Sequence, residues 1–424
     1  MLEYIDLRYK PNRNDLVAEY RLEPNKISIE KACEHVAGES SIGTWTDIST
    51  MNKWVARKLK PHVFYISKKT GEVRIAYPSE LFEAGNMPQI YSAVAGNIFG
   101  MSAVKNLRLQ DIHFPKSIMN RFAGPKFGIE GVRRLLKIKK RPLVGTIIKP
   151  KVGLDEKNHA RVAYEAWTGG LDIIKDDENL TSMGFNNFEK RIKETLKMRD
   201  KAEKETGERK MYMANVTAET REMLRRARFV KENGGEYVMI DIITVGWGAL
   251  QTLRESDLGL VIHAHRAMHG AFTNNPRHGI SMLAIAKSAR LIGIDQIHVG
   301  AIVGKMKGGK EEVEAIGEEI EKRIIHPSKA EHMLEQSWYN IKPIFAVCSG
   351  GLCALDIPSL IKNMGKNIIM QFGGGVHWHP KGTYYGARGV RQALEATMED
   401  IPLSDYAEFH RELKDAIDKF KKKF

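Results

Sequence analysis

From Leu143 onward the chain repeats one unit: a short apolar run, a turn, and a stretch with helical periodicity. The runs are Val144–Ile148, Leu171–Ile174, Met211–Val216, Tyr237–Ile242, Leu260–His265, Gln296–Gly300, Pro343–Val347 and Asn367–Gln371. Helical stretches between and beyond them include Phe188–Thr206, Arg221–Asn233, Ile280–Ile292 and Ile357–Met364. Runs this short and this apolar suit strands buried on both faces, as in a parallel sheet covered by helices. Eight β-α units over about 250 residues predict a closed (β/α)8 barrel of the TIM type, making the chain α/β overall.

The first part of the chain reads differently. Asp15–Leu22 alternates as a strand, and Ser28–Ala37 has helical periodicity after Asn25, a candidate cap. His62–Ile66 and Val73–Tyr77 read as strands, Pro88–Ile98 as a short apolar helix, and Ala103–Pro115 as a further strand. The order β-α-β-β-α-β predicts a small α+β, ferredoxin-like domain. The expected organisation is an N-terminal domain over 1–122, a linker and short helix over 123–142, and the catalytic barrel with C-terminal helices over 143–424.

Composition narrows the function classes. Lys and Arg number 66 against 52 Asp and Glu, a net charge of +14, which favours an anionic partner such as a phosphorylated metabolite or nucleic acid. The basic residues are interleaved with acids, and only the tail KFKKKF is a dense basic run, so no nucleic-acid partner is expected. No run of about 18 apolar residues occurs, so no membrane span is expected. The opening MLEYIDLRYK puts charges where a signal peptide needs an apolar core, and a cytoplasmic protein is expected. Three cysteines, Cys33, Cys348 and Cys353, make neither a disulfide framework nor a CxxC zinc motif.

Barrel active sites sit at the C-terminal ends of the strands. Here those ends carry Lys149 and Lys151, then Lys175-Asp176-Asp177-Glu178, then His263 and His265-Arg266, then His298, Ser349-Gly350-Gly351 and Gly373-Gly374-Gly375. In KDDEN, two acids beside a lysine can hold a hard cation through oxygen, and magnesium fits best; the alternative is a solvated loop with an internal ion pair. A lysine in such surroundings can also lose its proton and take up carbon dioxide as a carbamate, a third anionic ligand beside Asp177 and Glu178. In GTIIKPKVG, Pro150 holds Lys149 extended, and nearby positive charge would suit that lysine to proton transfer. Alternation puts His263 and His265 on one side of their strand, with His263 expected as a core histidine satisfied by backbone. The pair lacks the third soft ligand zinc would want, so acid/base or anion-binding chemistry fits better, and Arg266 offers a planar fork for phosphate. The glycine turns after strands seven and eight can cradle phosphate with backbone N–H groups. GAIVGKMKGGK, with glycines on both sides of Lys305, reads as a loop that could close over substrate.

Six of these segments, in this order, resemble the large subunit of ribulose-1,5-bisphosphate carboxylase/oxygenase, the RuBisCO family: GESSIGTWT, GNIFG, GGLDIIKDDEN, HAHRAMH, IHVGAIVGK and QFGGG. The wording of GESSIGTWT and GIEGVR is similar to the archaeal form III branch. The resemblance implies a magnesium-dependent carboxylase, with an oxygenase side reaction, that turns ribulose bisphosphate and carbon dioxide into two molecules of 3-phosphoglycerate. It implies that Lys175 is carbamylated by an activating carbon dioxide, and that Lys175, Asp177 and Glu178 hold magnesium. Proton removal would give an enediolate that attacks carbon dioxide, or oxygen in the side reaction. Lys305 would close over the site, His265 would assist proton transfer during hydration, and Lys149 would protonate the final carbanion. Lys151 would support the metal site, and Arg266 and His298 would hold one phosphate. Gly351, Gly373 and Gly374, with Thr44 and Trp45, would hold the other, beside Gly350, and Ser349 would contact sugar hydroxyls.

Glu39, Thr44, Trp45 and Asn97 would complete the site of a neighbouring subunit, implying a homodimer or a ring of dimers, with no small subunit expected. The alternative implied by kinship is a RuBisCO-like enolase or isomerase for another sugar phosphate. Departures from the common pattern bear on loop closure and on choice between carbon dioxide and oxygen. They are Ile147 where threonine is frequent, Ala301, Lys307, the run LCALDIP after SGG, and Trp378 where glycine is usual.

Overall fold

A computed structural model describes residues 3–44, 46, 48–303 and 309–421. Trp45, Lys305 and Lys307 lie outside the described residues. The chain forms two compact units: 1–124 with 268–293 and 322–341, and 125–267 with 294–321 and 342–424.

In the first unit, four strands form an antiparallel sheet in the order Val104–His113, Asp15–Pro24, Glu72–Pro78, His62–Ile66. That order is the one the β-α-β-β-α-β reading requires. Three details correct the sequence reading. The first helix, Ile29–Glu39, is capped by Ser28, whose side chain accepts from Lys31 N; Asn25 instead donates to the Ser102 carbonyl. The Pro88–Ile98 stretch is two elements, a helix over Met87–Val94 and a 3-10 turn over Asn97–Gly100. Between them Gly96 leaves helical geometry, and a Cβ there would lie 2.0 Å from the Ser92 carbonyl oxygen. Finally, a short strand from much later in the chain, Gly279–Ile280, pairs in parallel with Val104–His113 at the sheet's edge. The helix that follows it, Met282–Ile292, sends Lys287 to Asp111, with Nζ 2.9 Å from Oδ1 and both side chains fully buried.

The second unit holds a closed, all-parallel barrel of eight strands in chain order: Leu143–Ile147, Ile173–Lys175, Met211–Asn215, Tyr237–Asp241, Val261–His265, Gln296–Gly300, Phe345–Ser349 and Ile368–Phe372. Side chains alternate in and out along each strand, so inward residues stack in layers. The bottom layer is apolar: Leu143, Ile173, Met211, Tyr237, Val261 and Phe345 pack with Ile129, Val132 and Leu136 of the helix Gly128–Leu136, which plugs that end. Buried Asp295 seats the plug by accepting from the Phe127 and Gly128 amides, while its other oxygen takes Arg254. The middle layer turns polar, with Gln296 and Gln371 both reaching the Met213 sulfur. Gly145 lets the strands close there, since a Cβ would lie 2.6 Å from the Ile173 carbonyl oxygen. With the bottom plugged by hydrocarbon, only the opposite end is free to carry chemistry. Among the described residues, no helix is long and apolar enough to cross a membrane.

Candidate active site

The second strand ends at Lys175, and the chain then lays out Asp176, Asp177 and Glu178 in different directions. Asp176 turns inward as a fully buried anchor. It accepts from Tyr212 Oη at 2.7 Å and from the Asn215 amide at 2.9 Å, with His159 Nε2 at 3.0 Å and Arg191 Nη2 at 3.3 Å as ion-pair contacts. Burial alone would raise its pKa, but Arg191 and His159 outweigh burial and hold it below the usual carboxylate range. Asp177 faces the other way: Lys149 Nζ donates to its Oδ2 at 2.7 Å, and Asn179 to its Oδ1. Glu178 is partly buried, 3.4 Å from Lys151 Nζ and 3.7 Å from His265 Nε2. Burial resists its ionisation, yet the charges of Lys175 and His265 prevail and bring it down to about 2.

Lys175 is fully buried; its Nζ donates to the Asp176 carbonyl at 2.7 Å and lies 3.9 Å from Glu178 Oε2. Burial pulls its pKa below the ordinary lysine value, against the opposing charges of Glu178 and Asp177. Burial thus weakens its hold on the proton relative to an exposed lysine.

Three imidazoles cluster beside it. The His263 and His265 rings each meet the His298 ring edge-on, with centroids 4.7 Å apart. His265 Nδ1 lies 2.8 Å from Asp241 Oδ1 at the end of strand four, which fixes its ring and assigns the proton to that nitrogen. His298 Nδ1 pairs with Ser349 Oγ at 2.6 Å, leaving its buried Nε2 without a partner. His263 differs from the sequence expectation: its Nδ1 meets the Gln296 side chain at 2.8 Å rather than backbone, and its Nε2 has no partner. Burial first, then neighbouring positive charge, keeps all three rings below the ordinary histidine value. Arg266 is drawn down to about 10 by burial. It lies against Gly300, where a Cβ would come within 2.9 Å of its Nη2.

The turns after strands seven and eight complete the mouth. Gly350 and Gly351 both have positive φ, at 115° and 78°, which glycine alone adopts readily. Gly373 and Gly374 open the short helix Gly374–His377, and a Cβ on Gly373 would lie 3.4 Å from Lys149 Cε. In the first unit, Asn97 Nδ2 and Glu39 Oε1 are 3.5 Å apart and help line a cavity of about 800 Å³; Thr44 is exposed.

The barrel mouth thus gathers Lys149, Lys151, Lys175, Asp177, Glu178, His265, His298 and Ser349, as the strand ends predict. Sequence reading missed Asp241, which orients His265, and the anchoring role of Asp176, which only its register distinguishes from Asp177. Among the described residues no three His, Cys, Asp or Glu side chains come together as a metal cluster. The carboxylates of Asp177 and Glu178 offer hard oxygen ligands beside Lys175. A hard-oxygen set of that kind fits magnesium.

Fold and site define a barrel enzyme whose mouth gathers acids, lysines and histidines from successive strand ends. The family description "Ribulose bisphosphate carboxylase large chain, catalytic domain" matches residues 128–420, and its N-terminal counterpart matches residues 3–118. The chain belongs to the ribulose bisphosphate carboxylase large-chain family. It is 56% identical over 425 residues to a protein of Methanosarcina acetivorans named ribulose bisphosphate carboxylase, covering 99% of each chain. It is 50% identical to the namesake from Methanocaldococcus jannaschii, covering 99% of this chain and all of that one. Among solved structures it is similar to the dimeric archaeal Rubisco of Hyperthermus butylicus, with a TM-score of 0.93, 47% identity and 99% coverage of both chains. It is also similar to the octameric Rubisco of Pyrococcus horikoshii, with a TM-score of 0.91, 46% identity, and coverage of 100% of this chain and 99% of that one.

Proposed function

We propose that this chain is a ribulose-1,5-bisphosphate carboxylase, with oxygenation as its side reaction. The observation that carries the reading is the buried Lys175 amine, its pKa lowered by burial, between Glu178 and the Asp176 carbonyl. Carbon dioxide would bond to that nitrogen with loss of a proton, and Lys175, Asp177 and Glu178 would hold magnesium. When bound, the cation stabilises negative charge as it develops on the substrate oxygens.

The remaining work falls to the chain's own groups. His265, pinned by Asp241, keeps Nε2 free to accept and return a proton. Lys149 keeps its ammonium at Asp177 and donates that proton to the carbanion left by carbon–carbon cleavage. His298, with Ser349 Oγ–H donating to Nδ1, carries its proton on Nε2 as a buried donor for one phosphate beside Arg266. The glycines Gly350, Gly351, Gly373 and Gly374 hold the second phosphate through backbone N–H groups. Lys151 steadies Glu178, and Lys305 is read as the lysine that closes over the substrate. An enolase for another sugar phosphate is disfavoured because Lys305, His265, His298, Arg266 and Asn97 all remain in the sequence.

We read 1–122 as the N-terminal domain, 123–142 as a connector and 143–424 as the catalytic barrel. Glu39, Thr44, Trp45 and Asn97 would reach a partner's site in a cytoplasmic homodimer or ring of dimers, as the dimeric and octameric relatives suggest. The test is fixation of labelled carbon dioxide with ribulose bisphosphate, after preincubation with carbon dioxide and magnesium, run anaerobically. Label in 3-phosphoglycerate, lost in Lys175→Ala, is the expected result. No label from folded, magnesium-loaded protein would overturn the reading.

A further inference from the structure

The last paired residues of barrel strands one and eight are Thr146 and Phe372. Beyond them the ladder stops and the two chains diverge, one to Lys149 and the other to the Gly373–Gly375 turn. Backbone pairing no longer fixes the spacing of these two loops, yet Lys149 and Gly373 lie side by side.

His377 bridges the gap. Its Nε2 lies 2.9 Å from the Ile147 carbonyl and 3.1 Å from Thr146 Oγ1, and its Nδ1 lies 3.1 Å from Thr383 Oγ1. Thr146 Oγ1 in turn lies 2.6 Å from the Phe372 carbonyl. Carbonyl oxygens only accept, which fixes the protons on His377 Nε2 and Thr146 Oγ1, and with the ring neutral the third follows. His377 Nε2–H donates to Ile147, the Thr146 hydroxyl donates to Phe372, and the Thr383 hydroxyl donates to Nδ1. One neutral tautomer satisfies the ring completely.

We propose that His377 is a positioning residue for carboxylation, setting Lys149 and the strand-eight glycine turn at their working separation. The proposal rests on the carboxylase reading above. The ring holds the backbone two residues before Lys149, and through Thr146 it holds the residue before Gly373. It touches no reacting atom. Burial, with the charge of Lys149 acting in the same direction, brings His377 down to about 4, so the neutral tautomer persists across the working range.

The chemistry gives a readout that loss of fold would not imitate. After cleavage, the carbanion next to the carboxylate has two fates. It can take a proton from Lys149 Nζ, forming the C–H bond of 3-phosphoglycerate and leaving the amine neutral. It can instead expel the phosphate on the adjacent carbon, whose C–O bond breaks and whose electron pair leaves with phosphate. The enol that remains becomes pyruvate. A displaced Lys149 shifts this partition towards pyruvate.

The test compares His377→Met, which fills the space without a donor, with His377→Gln, whose amide N–H can again reach Ile147. In His377→Met, kcat should fall by about tenfold or more, as sub-ångström misplacement of a catalytic group does. The ratio of pyruvate to 3-phosphoglycerate should rise, and exchange of the substrate C3 proton should stay within about twofold of the parent. His377→Gln should restore most of kcat and the product ratio. Thr383→Val, which removes only the Nδ1 partner, should move the ratio in the same direction by less, and it keeps the test decisive should His377→Met fail to fold. A parental product ratio and kcat in folded His377→Met, or in Thr383→Val where that alone folds, would overturn the proposal. An unmodified protein that fixes no carbon dioxide would instead overturn the carboxylase reading.

Discussion

Lys149 Nζ and Asp177 Oδ2 stand 2.7 Å apart, so the proposed final proton donor is tethered to a proposed metal ligand. The tether joins the end of barrel strand one to the end of strand two. It holds the ammonium in place before substrate arrives, and it ties protonation of product to the same carboxylate that serves the cation.

That tether separates early from late steps. Lys149→Met should leave exchange of the C3 proton of ribulose bisphosphate measurable while cutting formation of 3-phosphoglycerate by about 10²–10⁴-fold, the usual worth of a placed acid. Deuterium uptake followed by NMR, beside product assay, checks it. Equal loss of both would mean that Lys149 acts before carbon–carbon bond formation.

Activation should follow the state of Lys175. Burial holds its pKa below the ordinary lysine value, and carbamate forms only from the neutral amine. The activation rate at fixed dissolved carbon dioxide should therefore climb with pH and level off below the pH at which a free lysine would. Glu178→Gln removes a charge that raises the Lys175 value, so the plateau should begin at still lower pH. Trapping of labelled carbamate reads both; a rate still climbing past pH ~10.5 would contradict the depressed value.

Asp176 governs acid stability. Its folded value lies below the ordinary aspartate value, so its stabilisation is fully present above pH ~4 and is lost as pH falls towards the folded value. Asp176→Ala leaves Arg191 buried without its carboxylate and should cost about 3–5 kcal/mol at neutral pH. The variant's stability should also change less than the parent's as pH drops from 4 downward. Denaturant titrations at several pH values measure both effects.

Gly300 makes room for Arg266. At φ 104° an alanine is strained, and its Cβ would press on Arg266 Nη2. Gly300→Ala should raise KM for the bisphosphate by about tenfold through loss of one well-placed charge-assisted contact, and lower stability by about 1–2 kcal/mol. Steady-state kinetics with thermal melts separates the two effects; an unchanged KM would remove Arg266 from the phosphate site.

Much of this was readable before any coordinates. Every barrel strand falls within about two residues of its apolar run, because a strand covered on both faces is mostly apolar and its ionisable groups gather towards the C-terminal end. The same logic put Lys149, Lys175, His265 and His298 at the mouth. What escaped depended on register between elements distant in sequence. Asp176 and Asp177 are adjacent and chemically alike, and only the position of Tyr212 and Asn215 on the next strand makes one an anchor and the other a mouth residue. Asp241 ends a strand whose run is legible but whose end carries no motif, and its role exists only because His265 lies opposite it. The helix Lys53–Lys58 and the two-residue strand Gly279–Ile280 are too short to carry a periodic signal.

That short strand has a consequence for how the protein is made. The ribosome delivers Val104–His113 long before Gly279–Ile280, which covers its edge, and before Lys287, which neutralises Asp111. A nascent chain therefore carries an open strand edge and an unpaired acid until more than half the barrel has been synthesised. The first-made unit waits for segments delivered much later, and a fragment ending at Gly124 would lack the pieces that complete its own sheet.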